Sequence, residues 1–153
     1  TLPVIEVLNT VANGGKSMYF EWKEEYEMGV EVVDRQHKKL LSIGRKLMTL
    51  IRTTDIIENF EEIKLIMNEL RLYTIEHFSR EEQFMKENGY PDLTSHAMEH
   101  EFLRKKLKQI YKLEQPDHET IIRLIAFVSD WISGHILITD MKIRNHLLQA
   151  RKA

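Results

Sequence analysis

Seven histidines are spread along the 153 residues: His37, His77, His96, His100, His118, His135 and His146. A single helical histidine is usually a satisfied or exposed side chain. Position changes that reading for five of them. His37 precedes Leu40, Leu41 and Gly44 by three, four and seven residues, and His77 follows Leu70 and Tyr73 by seven and four. His96 and His100 are four apart, with Leu103 and Leu107 extending the same face, and His135 follows Val128, Trp131 and Ile132 by seven, four and three. These are the intervals at which helical side chains share one face. Five imidazoles from four segments therefore point at one apolar interior. Each buried without a partner would cost a few kcal/mol. Metal ligation makes sense of them, because neutral imidazole is the commonest metal ligand.

Two carboxylates join the set. Glu81 lies four residues after His77, one turn along the same face. Asp140 lies five after His135, an interval that turns about 140° around an ideal helix. Asp140 must reach across, or the helix must loosen locally. Five imidazoles and two carboxylates exceed the needs of one tetrahedral zinc. They suit two ions of higher coordination number bridged by the carboxylates, and a set without sulfur points to iron or manganese. The ferritin arrangement needs Glu-x-x-His on two helices. Thr74 and Ala97 stand three residues before His77 and His100, so that pattern is absent. His118, next to Asp117 at a helix start, reads as surface. His146, eleven residues past His135, is about 16 Å along the helix and too far to share the site.

Four segments with helical apolar periodicity must carry these side chains. The first runs from about Asp34, a plausible N-cap, to Arg52, with Leu40, Leu41, Gly44, Leu47, Met48 and Ile51 as its stripe. The second runs from about Ile56 to Asn88 after a cap at Thr54 or Asp55, is stopped by Gly89 and Pro91, and buries Ile63, Ile66, Leu70, Tyr73 and Phe84. The third spans about Asp92 to Leu113 with Leu103, Leu107 and Ile110 inward. The fourth starts at Asp117 after Pro116 and reaches about Gln149, with Ile121, Leu124, Val128, Trp131 and Ile132 inward. Short links make neighbours antiparallel, so the expectation is an all-α, up-down-up-down four-helix bundle. Phe20 to Val33, aromatic and acidic, reads as an N-terminal arm lying over it. Gly134, mid-helix beside His135, either admits a close helix approach or is neutral. The seven methionines read as core filling.

Composition narrows the function classes. Lys and Arg number 22 against 24 Asp and Glu, a net charge of −2, which argues against nucleic acid and anionic membranes as partners. Cysteine is absent, so disulfides and thiolate metal sites are excluded. No 18-residue apolar run and no basic-then-apolar leader is legible. The expectation is a cytoplasmic domain that neither spans nor binds a membrane.

The constellation resembles the hemerythrin family, specifically the bacteriohemerythrins. The resemblance is carried by Phe20-Glu21-Trp22 through Tyr26 and Gly29, and by Val33-Asp34-Arg35-Gln36-His37-Lys38-Lys39-Leu40. It continues with His77-Phe78-x-x-Glu81-Glu82-x-x-Met85, Tyr90-Pro91 and His96-x-x-x-His100-x-Phe102, and ends with Trp131-Ile132-x-x-His135-Ile136-x-x-x-Asp140. It covers roughly Met18 to Leu148. It implies a non-heme di-iron site. His96, His100 and His135 would hold one iron and His37 and His77 the other. Glu81 and Asp140 would bridge the pair together with an oxo or hydroxo group, and the iron with fewer histidines would keep the open position. There O2 would bind end-on and reversibly, for storage, delivery or sensing.

Trp131 and Ile132, one turn before His135, are candidates for the lining of an O2 pocket, or are ordinary core. On this reading the protein is no enzyme. The competing reading is a di-iron oxidase, peroxidase or nitric oxide-handling enzyme on the same scaffold; a third is a signalling module needing an upstream domain. O2 is the expected partner, with an acceptor enzyme or an upstream signalling domain as further possibilities, and a monomer is favoured. Residues 1–17 fall outside the resemblance. They read as an N-terminal extension or linker, either the tail of an upstream domain or translated upstream sequence before Met18, and residues 18–150 read as the bundle domain.

Overall fold

A computed structural model describes residues 20–114 and 117–152, and for Leu137 and Lys152 the backbone alone. The 1–17 extension and Pro116, which precedes the expected start of the fourth helix, lie outside the described residues. Four helical rods pack as a four-helix bundle, with no strand among the described residues. We label them α1 (Glu31–Thr53), α2 (Phe60–Glu87), α3 (Leu93–Tyr111) and α4 (His118–Gly134). From α4 the backbone passes without a break through a π-helical segment (His135–Asp140) into α5 (Met141–Lys152). The arm contributes a short 3-10 turn at Glu24–Tyr26.

The apolar stripes read from the sequence are the core. Leu40, Leu41, Leu47, Met48 and Ile51 of α1 are buried with Ile63, Ile66 and Leu70 of α2, Leu103, Leu107 and Ile110 of α3, and Ile121, Val128 and Ile132 of α4. Tyr73, Leu124 and Trp131 are half-buried and pack against that cluster. A second, smaller cluster of Met28, Val33, Met85, Tyr90 and Ile143 closes the other end. Along each rod the candidate ligands fall where these two clusters meet, so the site is a polar layer inside the bundle.

Helix ends differ from the sequence reading where capping chemistry decides them. Asp34 is not the N-cap of α1. The helix starts three residues earlier at Glu31 after Val30. The buried Asp34 carboxylate instead accepts from the backbone N–H groups of Met28 (2.8 Å) and Gly29 (3.1 Å), tying the arm to the first turn. Gly29 there has φ +75°, a conformation that favours glycine. The second helix starts at Phe60 rather than Ile56, because Asp55 closes a separate turn by accepting from the Glu58 N–H at 3.0 Å. Its end is as expected. Gly89 has φ +62°, Tyr90 N–H reaches the Met85 carbonyl and Gly89 N–H the Lys86 carbonyl, the paired bonds of a Schellman stop. The third helix runs one residue inside its expected start and two inside its expected end. Asp117 caps α4 as expected, its carboxylate accepting from Thr120 N–H at 2.7 Å.

The rod His118–Arg151 is long and apolar enough, by length and composition, to cross a membrane, with a mean hydropathy of 1.6 over its richest window. The figure is an average over the window, which smooths over the polar residues that interrupt the apolar run. About half of the window is buried within the bundle, and its buried face carries His135 and Asp140.

Candidate metal centre

The structure brings all seven candidate ligands into one buried layer. His37 comes from α1, His77 and Glu81 from α2, His96 and His100 from α3, and His135 and Asp140 from the two ends of the π-segment. The π-segment answers the five-residue interval. Its i to i+5 hydrogen bonding widens the turn, so residues five apart share a face that an α-helix would split.

The donors fall into two overlapping groups. Glu81, His96, His100, His135 and Asp140 form one, and His37, His77, Glu81 and Asp140 the other, with the donor atoms of each group within 4.8 Å of one another. Glu81 Oε1 lies 2.9 Å from His96 Nε2 and 3.2 Å from His100 Nε2. Asp140 Oδ1 lies 3.0 Å from His96 Nε2 and 2.9 Å from His135 Nε2. The other oxygens turn the other way. Glu81 Oε2 is 3.4 Å from His37 Nε2 and 3.3 Å from His77 Nε2, and Asp140 Oδ2 is 3.1 Å from His37 Nε2.

Hydrogen bonding among these groups does not satisfy them. His100 Nε2 faces His135 Nε2 at 3.0 Å, nitrogen against nitrogen. His37 Nε2, Glu81 Oε2 and both Asp140 oxygens are buried without a hydrogen-bond partner. Such groups carry a desolvation cost, and a cation among them would remove it. The donor set of nitrogen and oxygen without sulfur fits a pair of hard-to-borderline ions. Electrostatics agree. Burial pulls His37 and His96 down, yet the Asp140 and Glu81 carboxylates close to their Nε2 atoms outweigh it and hold both up at about 9. His135 is held up at about 10 against burial by Asp140 and then Glu81. His77 goes the other way, because burial outweighs its contact with Glu81. Burial pushes both carboxylates up, and Glu81 adds to that push on Asp140; the surrounding imidazoles overcome it, so both titrate below their ordinary range. Without metal, the site draws in protons as its cations.

Side chains behind the ligands were not legible as site residues. His77 Nδ1 donates to Gln36 Oε1 at 2.8 Å, and His135 Nδ1 to Glu99 Oε2 at 2.9 Å. Gln36 could have been flagged as a buried polar neighbour of His37; Glu99, largely exposed, gave no signal. Phe78 stacks on His100 at 3.8 Å between centroids and 5° between planes. Its place directly after His77 marked it as part of a motif without a role. Trp131 stacks on His135 at 4.6 Å and 10°, and Ile132 is fully buried beside it in sequence. His118 is exposed, and His146 packs edge-on against Tyr90 at 5.6 Å, outside both donor groups. A Cβ on Gly134 would meet nothing within 4 Å, so of its two readings the close helix approach falls away.

Bundle and site together define a protein that holds cations between four helices with imidazoles and shared carboxylates. The chain belongs to the hemerythrin HHE cation-binding domain family, which matches residues 28–147. It is 33% identical over 123 residues to a bacteriohemerythrin of Clostridium acetobutylicum, covering 79% of this chain and 95% of that one. It is 32% identical over 117 residues to a bacteriohemerythrin of Campylobacter jejuni (76% and 86%) and 24% identical over 132 residues to one of Stenotrophomonas maltophilia (84% of each).

Proposed function

We propose that this chain binds O2 reversibly at a non-heme di-iron centre, for storage, delivery or sensing. The observation that carries the reading is the unequal division of donors. One group offers three imidazoles and two carboxylate oxygens, the other two imidazoles and the opposite oxygens. The poorer group leaves a coordination position for an outside ligand, as a reactive metal requires. Iron would supply the electrons that let O2 bind and leave. The chain's own part is to fix the ions in a buried polar layer between two apolar clusters, which keep water from them. His96, His100 and His135 would serve one iron, His37 and His77 the other, with Glu81 and Asp140 between.

The experiment is an optical spectrum of the iron-loaded, reduced protein before O2, after O2 and under vacuum. A band that appears with O2 and vanishes under vacuum supports the reading. Steady O2 consumption with a reductant supports a di-iron redox enzyme. One observation favours that second reading. A cleft of about 400 Å³ lined by Val32, Arg35, Gln36, Tyr73, Glu76, His77 and Arg80 reaches His77 from the surface, offering small reactants a path.

A further inference from the structure

Behind the converging Nε2 atoms, the two halves of the site are supported by different chemistry. In the two-histidine half the acceptor behind His77 is a neutral amide, Gln36, and His37 Nδ1 has no partner. In the three-histidine half His96 Nδ1 and His100 Nδ1 have no hydrogen-bond partner either, but the acceptor behind His135 is a carboxylate, Glu99. The same Glu99 oxygen accepts from the Thr139 hydroxyl at 2.8 Å. His135 and Thr139 both belong to the π-segment, whereas Glu99 stands on α3 between His96 and His100. One carboxylate oxygen therefore pins the first and the fifth residue of that segment to the neighbouring helix. A π-turn is rare and appears mostly as a single-turn bulge at functional sites. Here it alone sets His135 and Asp140 on one face.

We propose that Glu99 is the positioning residue of the metal centre. Through His135 Nδ1 and the Thr139 hydroxyl it holds the π-segment in the register that aims His135 and Asp140 at the same ion, and its charge makes His135 a stronger donor than the amide-backed His77. This rests on the reading that the seven side chains hold two ions. A carboxylate behind a ligating imidazole fixes its tautomer and raises its basicity, and loss of such a partner typically lowers metal affinity by roughly 10–100-fold.

The test uses the full chain, Co(II) as the probe, and three variants. Glu99→Gln removes the charge and keeps an acceptor. Glu99→Ala removes both bonds. Thr139→Val removes only the hydroxyl. Titration with Co(II) should show one of the two sites weakened by roughly tenfold or more in Glu99→Gln, the other holding its affinity, and a larger loss in Glu99→Ala that reaches both sites, because Asp140 belongs to both donor groups. In metal-free protein, amides 136–140 should exchange faster in Glu99→Ala and Thr139→Val than in the parent, with the rest of α4 unchanged. In the iron-loaded protein Glu99→Gln should raise the reduction potential, a readout that loss of packing alone would not move in a fixed direction. Parental Co(II) affinity in Glu99→Ala together with parental exchange at 136–140 would overturn the proposal. A parent that takes up fewer than two Co(II) would count against the two-ion reading, and exchange in the metal-free protein would still decide the clamp.

Discussion

Glu81 and Asp140 divide their oxygens in the same way. Oε1 and Oδ1 both lie within 3.0 Å of His96 Nε2, while Oε2 and Oδ2 both lie within 3.4 Å of His37 Nε2. They come from different rods, α2 and the π-segment, so the match is built by tertiary packing rather than by one helix. Two carboxylates that each face two donor groups are placed as bridges would be, and would fix the separation of ions held there.

Removing one bridge should therefore cost more than one ligand. Glu81→Ala or Asp140→Ala should reduce metal content from two ions per chain to one or none, read by elemental analysis after dialysis. His118→Ala and His146→Ala, which change side chains outside both donor groups, should leave it at the parent value. Two tightly held ions in Asp140→Ala would sink the bridging assignment.

Metal-free protein should show an unusual pH dependence. His37 and His96 at about 9 and His135 at about 10 stand above the ordinary 6.5. Their contribution to stability is fully present below pH 6.5 and disappears as pH rises through 9 to 10. Glu81 and Asp140 are lowered from 4.5 and 3.8. Their contribution is present above those values and disappears on acidification through the lower folded-state values. His77, lowered by burial, works against these and takes stability away as pH falls below 6.5, so denaturant titrations with chelator should find greatest stability near pH 6.5. Metal affinity should move oppositely, rising with pH and releasing protons on binding. Metal-free stability that climbs from pH 6.5 to 9 would contradict the electrostatic picture.

Periodicity made the stripes legible, because burial in a bundle imposes the same 3.6-residue spacing on Leu40 and on His37. The candidate ligands other than Asp140 follow the same rule, each lying on a stripe where its polarity has no other use. Asp140 breaks the spacing, and the break marks the π-segment. Helix starts were less legible. Asp34 and Asp55 have the chemistry of caps, yet tertiary contacts turn Asp34 toward the arm and give Asp55 a turn of its own. The support behind the ligands was hidden for a different reason. Gln36 and Glu99 act across helices, on His77 and His135, 41 and 36 residues away, and no local pattern encodes such a pairing.

Two glycines should respond oppositely to alanine. A Cβ at Gly44 would overlap the Phe20 ring, which is fully buried against α1. Gly44→Ala should cost about 1–3 kcal/mol as overpacking and lift the arm, read by thermal unfolding and by the fluorescence of nearby Trp22. Gly134 has open space at that position and helical backbone angles. Gly134→Ala should be neutral or stabilise by up to about 1 kcal/mol. Equal effects at the two positions would show that Phe20 does not seat on α1.

The last expectation concerns what keeps an iron-bound ligand from escaping. Ile132 is fully buried three residues before His135, and Trp131 lies flat on the His135 ring beside Phe78. Truncating Ile132 to Ala removes apolar volume one turn from a ligand and should admit water or small anions. Oxidation of the O2-loaded protein to its inert ferric form should then accelerate, followed at the visible band. Truncating a buried Ile or Leu to Ala costs about 2–5 kcal/mol by itself, so a control of equal kind is needed. Leu107 is buried on the same side of α3 as His100 but about 10 Å further along it. Leu107→Ala should lose comparable stability and oxidise at the parent rate. If Ile132→Ala also oxidises at the parent rate, Ile132 contributes packing alone and the pocket lies elsewhere.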